Sequence, residues 1–412
     1  MRLHITLLLA LLAAAACPAR TYRALPPDLD GSMSTYTFSA ADTLPVWPDS
    51  LRPVRVAYAA RHGARYLSSP HKTDAVRRVL KAERKLHSLT PDGEAMLSLL
   101  DSVERLSEGK WGALSAVGAD EERRLGRQLA TLCPELIAKG RVSAVSSYVP
   151  RVVMTMYEFC HALADTSPDC RVSTSEGKQY SSVVRFFSAD PDYRRYIDDG
   201  PWKKTYDDFV EATVPVDPAL RLVGRHSALD STRLRALTLD IYGVLQGLRA
   251  FSSLTPTTRW MSEEQYAACR DAVNLRQYLT RTANSHSSIA PRSAAPLLEA
   301  MLASMLSPYA PEVSLWFGHA ETMWPLLTLM GLPGCDLPDL APADVASAWH
   351  GWVISPLGAN VMVITLETPS GARYASVRLN GRFVAPLPGN PALTVPFHDL
   401  ARLWLDRIAA FR

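Results

Sequence analysis

Neither sign of charge dominates this 412-residue chain: Lys plus Arg number 44 and Asp plus Glu 41, a formal charge of +3. So slight an excess gives no case for a nucleic-acid-binding protein, which carries a stronger basic bias. Cysteine is sparse, with six in the chain and no close-spaced pairs of the kind that hold zinc. No apolar stretch, the short run near the N-terminus included, is long enough to cross a bilayer as a permanent helix. Internal repeats and low-complexity segments are lacking. What is present is an ordinary globular composition, 47% hydrophobic and 21% charged, which excludes disordered, collagen-like and coiled-coil chains. The length gives room for one large domain or two moderate ones around a substantial core.

The N-terminal run has the form of an export signal. Arg2 precedes an apolar stretch from Ile5 to Ala16, which ends in small residues and Cys17. A positive start, a short apolar segment and an Ala-x-Ala ending describe a secretory signal peptide over residues 1–17. Cys17 also fits a bacterial lipoprotein signal, although Ala14 stands where such signals usually carry Leu. A lipid there would tether the protein rather than span the membrane. The location expected is therefore exported: periplasmic, outer-membrane associated or secreted. In an oxidising compartment Cys160 and Cys170 can form a disulfide; the plainer alternative is that the cysteines are small buried hydrophobes.

Residues Thr21 to Pro53 read as an irregular, proline-punctuated lead-in. Val54 to Ala60 is a compact apolar run suited to a buried strand, stopping at Arg61-His62-Gly63. Thr90-Pro91-Asp92 opens a helix, with Thr as cap, Pro in the first turn and an acid beside it. A further helix is predicted from Gly118 to Leu132, a strand over Val142 to Ser146 and a helix over Arg151 to Ala164. From about Arg185 to Ser307 helical patterns dominate, as in Ser231 to Arg249 and Ser262 to Thr282. Strand signals return at Val313 to Phe317, Val361 to Leu366 and Tyr374 to Leu379. An α/β core over 18–184 and 308–412, interrupted by a mainly helical insertion over 185–307, explains this order.

The chemistry gathers at strand ends, where open α/β sheets place their active sites. Arg61-His62-Gly63-Ala64-Arg65 sets one histidine between two guanidinium forks that match phosphate oxygens. Gly63 lets the backbone approach closely. The strand at Val313 leads into Gly318-His319-Ala320-Glu321, opening a helix whose N-terminal amides favour anions. His319 can donate to a phosphate oxygen, and Glu321 can deliver a proton to a leaving alkoxide. The segment Ser146 to Arg151 follows a third strand and adds a third guanidinium. Each signal is weak alone; together they are complementary.

These segments resemble the histidine phosphatase superfamily, in the branch of the histidine acid phosphatases and phytases. Within it the sequence is most similar to the multiple inositol polyphosphate phosphatases, which carry His-Ala-Glu where many phytases carry His-Asp. The resemblance extends over Gly112 to Gly118 and over the Ser-x-x-x-Arg stretch ending at Arg151, and so over essentially the whole mature chain. It implies a histidine-phosphatase-like α/β sandwich, with a central mixed sheet flanked by helices and a helical cap over the cleft. It implies His62 as nucleophile, Arg61, Arg65, Arg151 and His319 as the phosphate clamp, and Glu321 as proton donor. No metal or other cofactor is implied, because guanidinium and imidazolium groups supply the charge stabilisation. One departure is Leu67, standing where many members have Pro, with the usual lysine displaced. Lys72 is the candidate replacement, and a solvated loop charge is its alternative.

The implied activity is removal of phosphates from phytate (inositol hexakisphosphate) and lower inositol polyphosphates. Alternatives are a less selective acid or sugar phosphatase and a binding protein without turnover. A polyphosphorylated ring needs positive charge beyond the phosphate being cut. Arg185, Arg194, Arg195, Lys203, Lys204, Arg276, Arg281 and Arg292 are candidates, most of them expected to be surface charges. His71, His161, His226, His286 and His350 lack a partner pattern and read as surface or satisfied core residues.

Overall fold

The structure, a computed structural model, describes residues 21–39 and 44–412. The signal segment and Cys17 lie outside the described residues. Among the described residues eight strands form one mixed sheet: β1 (Arg52–Arg61), β2 (Arg141–Ser146), β3 (Arg171–Glu176), β4 (Val313–Gly318), β5 (Asn360–Glu367), β6 (Arg373–Leu379), β7 (Arg382–Val384) and β8 (Thr394–Pro396). Their order is β3-β2-β4-β1-β5-β6-β7, with β8 also paired to β6. The four strands from β3 to β1 are parallel, and antiparallel pairing begins at β5.

The alternation of side chains along β1 explains why both faces of the sheet are covered. Val56, Tyr58 and Ala60 point into a core shared with helices Ala116–Leu132 and Pro150–Thr166. Ala57 and Ala59 point into the opposite core, with helices Ala295–Leu306, Ala320–Met330 and Phe397–Phe411. A strand buried on both faces reads as a near-continuous apolar run, which is how β1 appears in the sequence. The α/β sandwich with a mixed sheet is the fold the sequence led us to expect.

A further set of helices makes a separate apolar body, while the short helices Phe186–Ala189, Pro191–Asp199 and Ile289–Ser293, within the segment read as an insertion, pack into the sheet's core. The separate body includes the segments Asp217–Val223 and Ser231–Leu245, and part of Glu263–Arg281. Helices His71–Lys85 and Pro91–Ser107 join it as well, although the sequence reading assigned them to the core. An amphipathic pattern states that a helix has a buried face, not which core that face meets. Thr90 caps the second of these helices as expected, its hydroxyl accepting from Gly93 N at 3.1 Å. Such a cap contributes about 1 kcal/mol. Cys160 and Cys170 are both free thiols, so of the two readings for this pair the structure has no disulfide.

Candidate active site

The carboxyl ends of β1, β4 and β2 lie side by side. Arg61 pairs with Gly318, and Ser146 with Phe317. The register continues past the strand ends, where His62 N donates to Gly318 O at 3.1 Å and Ser147 N to Phe317 O at 3.3 Å. These main-chain bonds bring His62, His319 and Ser147 together. The rings of His62 and His319 stand 5.7 Å apart and nearly perpendicular, at 81°.

Each side chain is oriented by its neighbours. His62 is buried, and its Nδ1 lies 3.0 Å from Gly63 O. A carbonyl only accepts, so Nδ1 carries the proton and Nε2 is left with its lone pair. Burial, followed by the charges of Arg151, Arg61 and Arg65, pushes the imidazole pKa well below its ordinary value, so the ring is neutral. His319 sits between Ser147 Oγ, 3.2 Å from Nε2, and Arg151 Nη2, 3.5 Å from Nδ1. It caps helix Ala320–Met330, with its amide donating to Thr322 Oγ1 at 3.0 Å and that hydroxyl donating to Val184 O at 2.7 Å.

The loop after β1 is held by close packing. Gly63 N donates to Thr155 Oγ1 at 3.2 Å. Ala64 O accepts from both the amide and the hydroxyl of Ser115, the residue that caps helix Ala116–Leu132. A Cβ at Gly118 would stand 2.3 Å from Ala64 O and 2.8 Å from Ala64 N, so only glycine lets the two segments meet. This gives the Gly112 to Gly118 element its structural meaning. Leu67 is buried in the helical body, its side chain packed over Gly247.

Arg61 is buried, and its Nη1 donates to Ser32 O and Ser355 O, both at 2.7 Å. Burial and then the neighbouring guanidiniums lower the pKa of Arg61 to about 9 and of Arg65 to about 10, leaving both cationic at neutral pH. The Nε groups of Arg61, Arg65, Arg151, Arg185 and Arg281 are buried without a hydrogen-bond partner. Buried donors without acceptors are costly, and a bound anion would satisfy them. Two helix N-termini, at Pro150 and Ala320, add to the positive potential.

Glu321 lies in the first turn of its helix. Burial opposes its charge, but Arg281, His319 and Arg61 outweigh that and hold its pKa at about 2. For His319, burial and the nearby arginines exceed the pull of Glu321 and bring its pKa to about 3.

The cleft above these groups has a volume of about 610 Å³. Arg61, His62, Arg65, Arg151 and Glu321 line its floor, and Lys72, Asp240 and Arg276 its helical wall. Lys72 therefore reaches the cleft; its ammonium would touch a Cβ at Gly243, so that glycine makes its room. Burial raises the pKa of Asp240 against the pull of Lys72 and His71. Of the other basic candidates, Arg185 and Arg281 flank the Phe187 ring, which lies 5.4 Å from His319. Arg195, Lys203, Lys204 and Arg292 pair with surface acids instead, and Arg194 is exposed. Among the described residues none of the cleft cations forms an ion pair with a carboxylate, and no cluster of His, Cys, Asp and Glu has the form of a metal site.

The sequence reading did not single out Ser32, Met33, Asp240 or Gln246, and it took His71 for a surface or core residue; all of them line the cleft. None carries a local signal. A larger groove of about 810 Å³ lies elsewhere, bordered by Arg52, Gly140 and Glu312 near the amino ends of the strands and away from these groups.

An α/β sandwich with a neutral histidine at its carboxyl edge, among guanidiniums whose Nε donors lack partners, belongs to the phosphate-handling hydrolases. The chain is a member of the histidine phosphatase superfamily (branch 2), whose model matches residues 55–380. Among solved structures it is similar to a Bifidobacterium longum multiple inositol polyphosphate phosphatase in complex with inositol hexasulfate. That likeness has a TM-score of 0.76 at 14% identity and covers 88% of this chain and 95% of the other. A phytase from D. castellii gives 0.69 at 15% identity, covering 93% and 85%. At such identities the likeness establishes the fold. No curated protein matches the sequence.

Proposed function

We propose that this phosphatase is an exported enzyme that removes phosphates from phytate and lower inositol polyphosphates through a phosphohistidine at His62. The observation that carries the reading is the buried neutral imidazole, with Nδ1 tied to Gly63 O and Nε2 unprotonated, beside guanidinium donors that lack partners. In the first step Nε2 attacks phosphorus, and the bond to the ester oxygen breaks. Glu321 gives its proton to the departing alkoxide. In the second step the Glu321 carboxylate takes a proton from water, whose oxygen attacks phosphorus and breaks the P–N bond. Arg61, Arg65, Arg151 and His319 hold the equatorial oxygens, where charge accumulates.

Cationic surroundings keep Glu321 ionised, so a bound phosphate has a second effect. Its negative charge offsets Arg281, His319 and Arg61, raises the pKa of Glu321 and lets the carboxyl hold the proton it must donate. The inositol polyphosphate reading is supported by Lys72, Arg276, Arg185 and Arg281, which provide positive charge around the catalytic cluster. It is supported also by the likeness to the neighbours named above. The N-terminal pattern supports export, with Cys17 as a lipid attachment site.

The test is phosphate release from phytate and from p-nitrophenyl phosphate by the purified protein in excess chelator. Preferential turnover of phytate is expected. Turnover of the aryl ester alone would replace the substrate by simple phosphate monoesters. Phytate binding without turnover of either compound would make the protein a binder.

A further inference from the structure

The lead-in to the sheet is built into the site. Pro27–Met33 forms a short 3₁₀ helix bent at Gly31, where φ is +58° and a Cβ would lie 3.0 Å from Tyr242 Oη. Its end reaches the catalytic arginines: Ser32 O accepts from Arg61 Nη1 at 2.7 Å, and Met33 Sδ lies 3.8 Å from Arg65 Nη2. The same segment is bound to the helical body. The Asp30 carboxylate is buried, accepting from Tyr266 Oη at 3.0 Å and from Arg249. A further Arg249 nitrogen donates to Leu25 O, and Tyr242 Oη donates to Leu29 O at 3.1 Å.

A buried ion pair is a poor stabilising device, since apolar replacements often serve stability as well. It does fix geometry, because both carboxylate oxygens have directional partners. Asp30 stands two residues from the carbonyl that holds Arg61. We propose that Asp30 is a positioning residue: by locking the lead-in strap to Arg249 and Tyr266, it sets where Ser32 and Met33 place the guanidiniums of Arg61 and Arg65. The helical body thereby controls the phosphate clamp as well as the wall of the cleft. The inference rests on the phosphatase reading of that clamp.

The experiment compares Asp30→Asn, the milder Tyr266→Phe, and a control, Asp336→Asn. The control loses an ion pair to Arg407 on helix Phe397–Phe411, away from the cleft. Inorganic phosphate affinity is measured by calorimetry, and kcat and KM with p-nitrophenyl phosphate, at a temperature where circular dichroism shows each variant folded. Asp30→Asn is expected to weaken phosphate binding about tenfold and to lower kcat as well as raise KM, since a small misplacement of a clamping group is enough. Tyr266→Phe should show a smaller loss of the same kind, and Asp336→Asn none. Wild-type phosphate affinity in folded Asp30→Asn, or an equal loss in the control, overturns the proposal. If Asp30→Asn does not fold, Tyr266→Phe decides by the same criterion. Should the wild-type protein bind phosphate but not turn over the ester, the catalytic reading fails while phosphate affinity still judges Asp30.

Discussion

The floor of the cleft and its helical wall hold their functional groups by different means. On the floor, His62 and Ser147 are fixed through main-chain bonds between adjacent strands, and His319 through the cap of the helix it opens. Sub-ångström placement of a nucleophile needs such a scaffold. On the wall, Lys72, Asp240 and Arg276 project from three different helices, and among the described residues none of them is in an ion pair. The side chains of Lys72 and Arg276 are long and cationic, suited to attracting a large polyanion more than to aligning one atom. On the proposed reading the floor carries out chemistry on any phosphate monoester, and the wall chooses among them.

Breaking the floor should affect every substrate alike. His62→Ala removes the proposed nucleophile and is expected to lower kcat by roughly four orders of magnitude or more on both phytate and p-nitrophenyl phosphate. High residual activity would show that another group is attacked. Glu321→Gln should cost about 10²- to 10³-fold on phytate, whose alkoxide needs the proton. The loss should be far smaller on p-nitrophenyl phosphate, which has a good leaving group; equal losses would count against a proton donor. Gly118→Ala drives a methyl group into Ala64 and should displace the His62 loop, reducing kcat about 10²-fold. A lowered Tm with unchanged kcat would show that the loop tolerates the change.

Changes in the wall should instead separate the substrates. Lys72→Ala and Arg276→Ala are each expected to raise KM for phytate about tenfold, the scale of one charge-assisted contact, with p-nitrophenyl phosphate little affected. Equal effects on both would place these residues in the catalytic cluster. The smallest change should follow Arg281→Gln, which removes the leading counter-charge of Glu321. The acid form is the active one, so kcat falls as pH rises through the pKa of Glu321 in the substrate complex. Without Arg281 that pKa is higher, and the falling limb of the kcat profile should move toward higher pH. An unmoved limb would detach Arg281 from the proton donor.

The same contrast explains what the sequence disclosed. The floor was legible because its chemistry is local: Arg61 to Arg65 and Gly318 to Glu321 each follow an apolar strand at once. The wall was legible only at Lys72, since Arg276 and Lys204 look alike until folding sets one in the cleft and the other beside Asp208. Strand β3 escaped notice because Arg-Val-Ser-Thr-Ser-Glu is a half-exposed edge with little apolar alternation. The strap was read as an irregular lead-in for a similar reason. A 3₁₀ helix of seven residues is too short to show a period, and the partners of Asp30 lie 219 and 236 residues away.

The central claim is that phosphate passes through His62. Rapid quenching of the protein during turnover of ³²P-labelled substrate, followed by peptide mapping, tests it most directly. The account predicts label on the peptide carrying His62, lost in acid and stable in base as an N-phosphoryl bond should be. Turnover with no labelled protein at any quench time, or label on another residue, would contradict it.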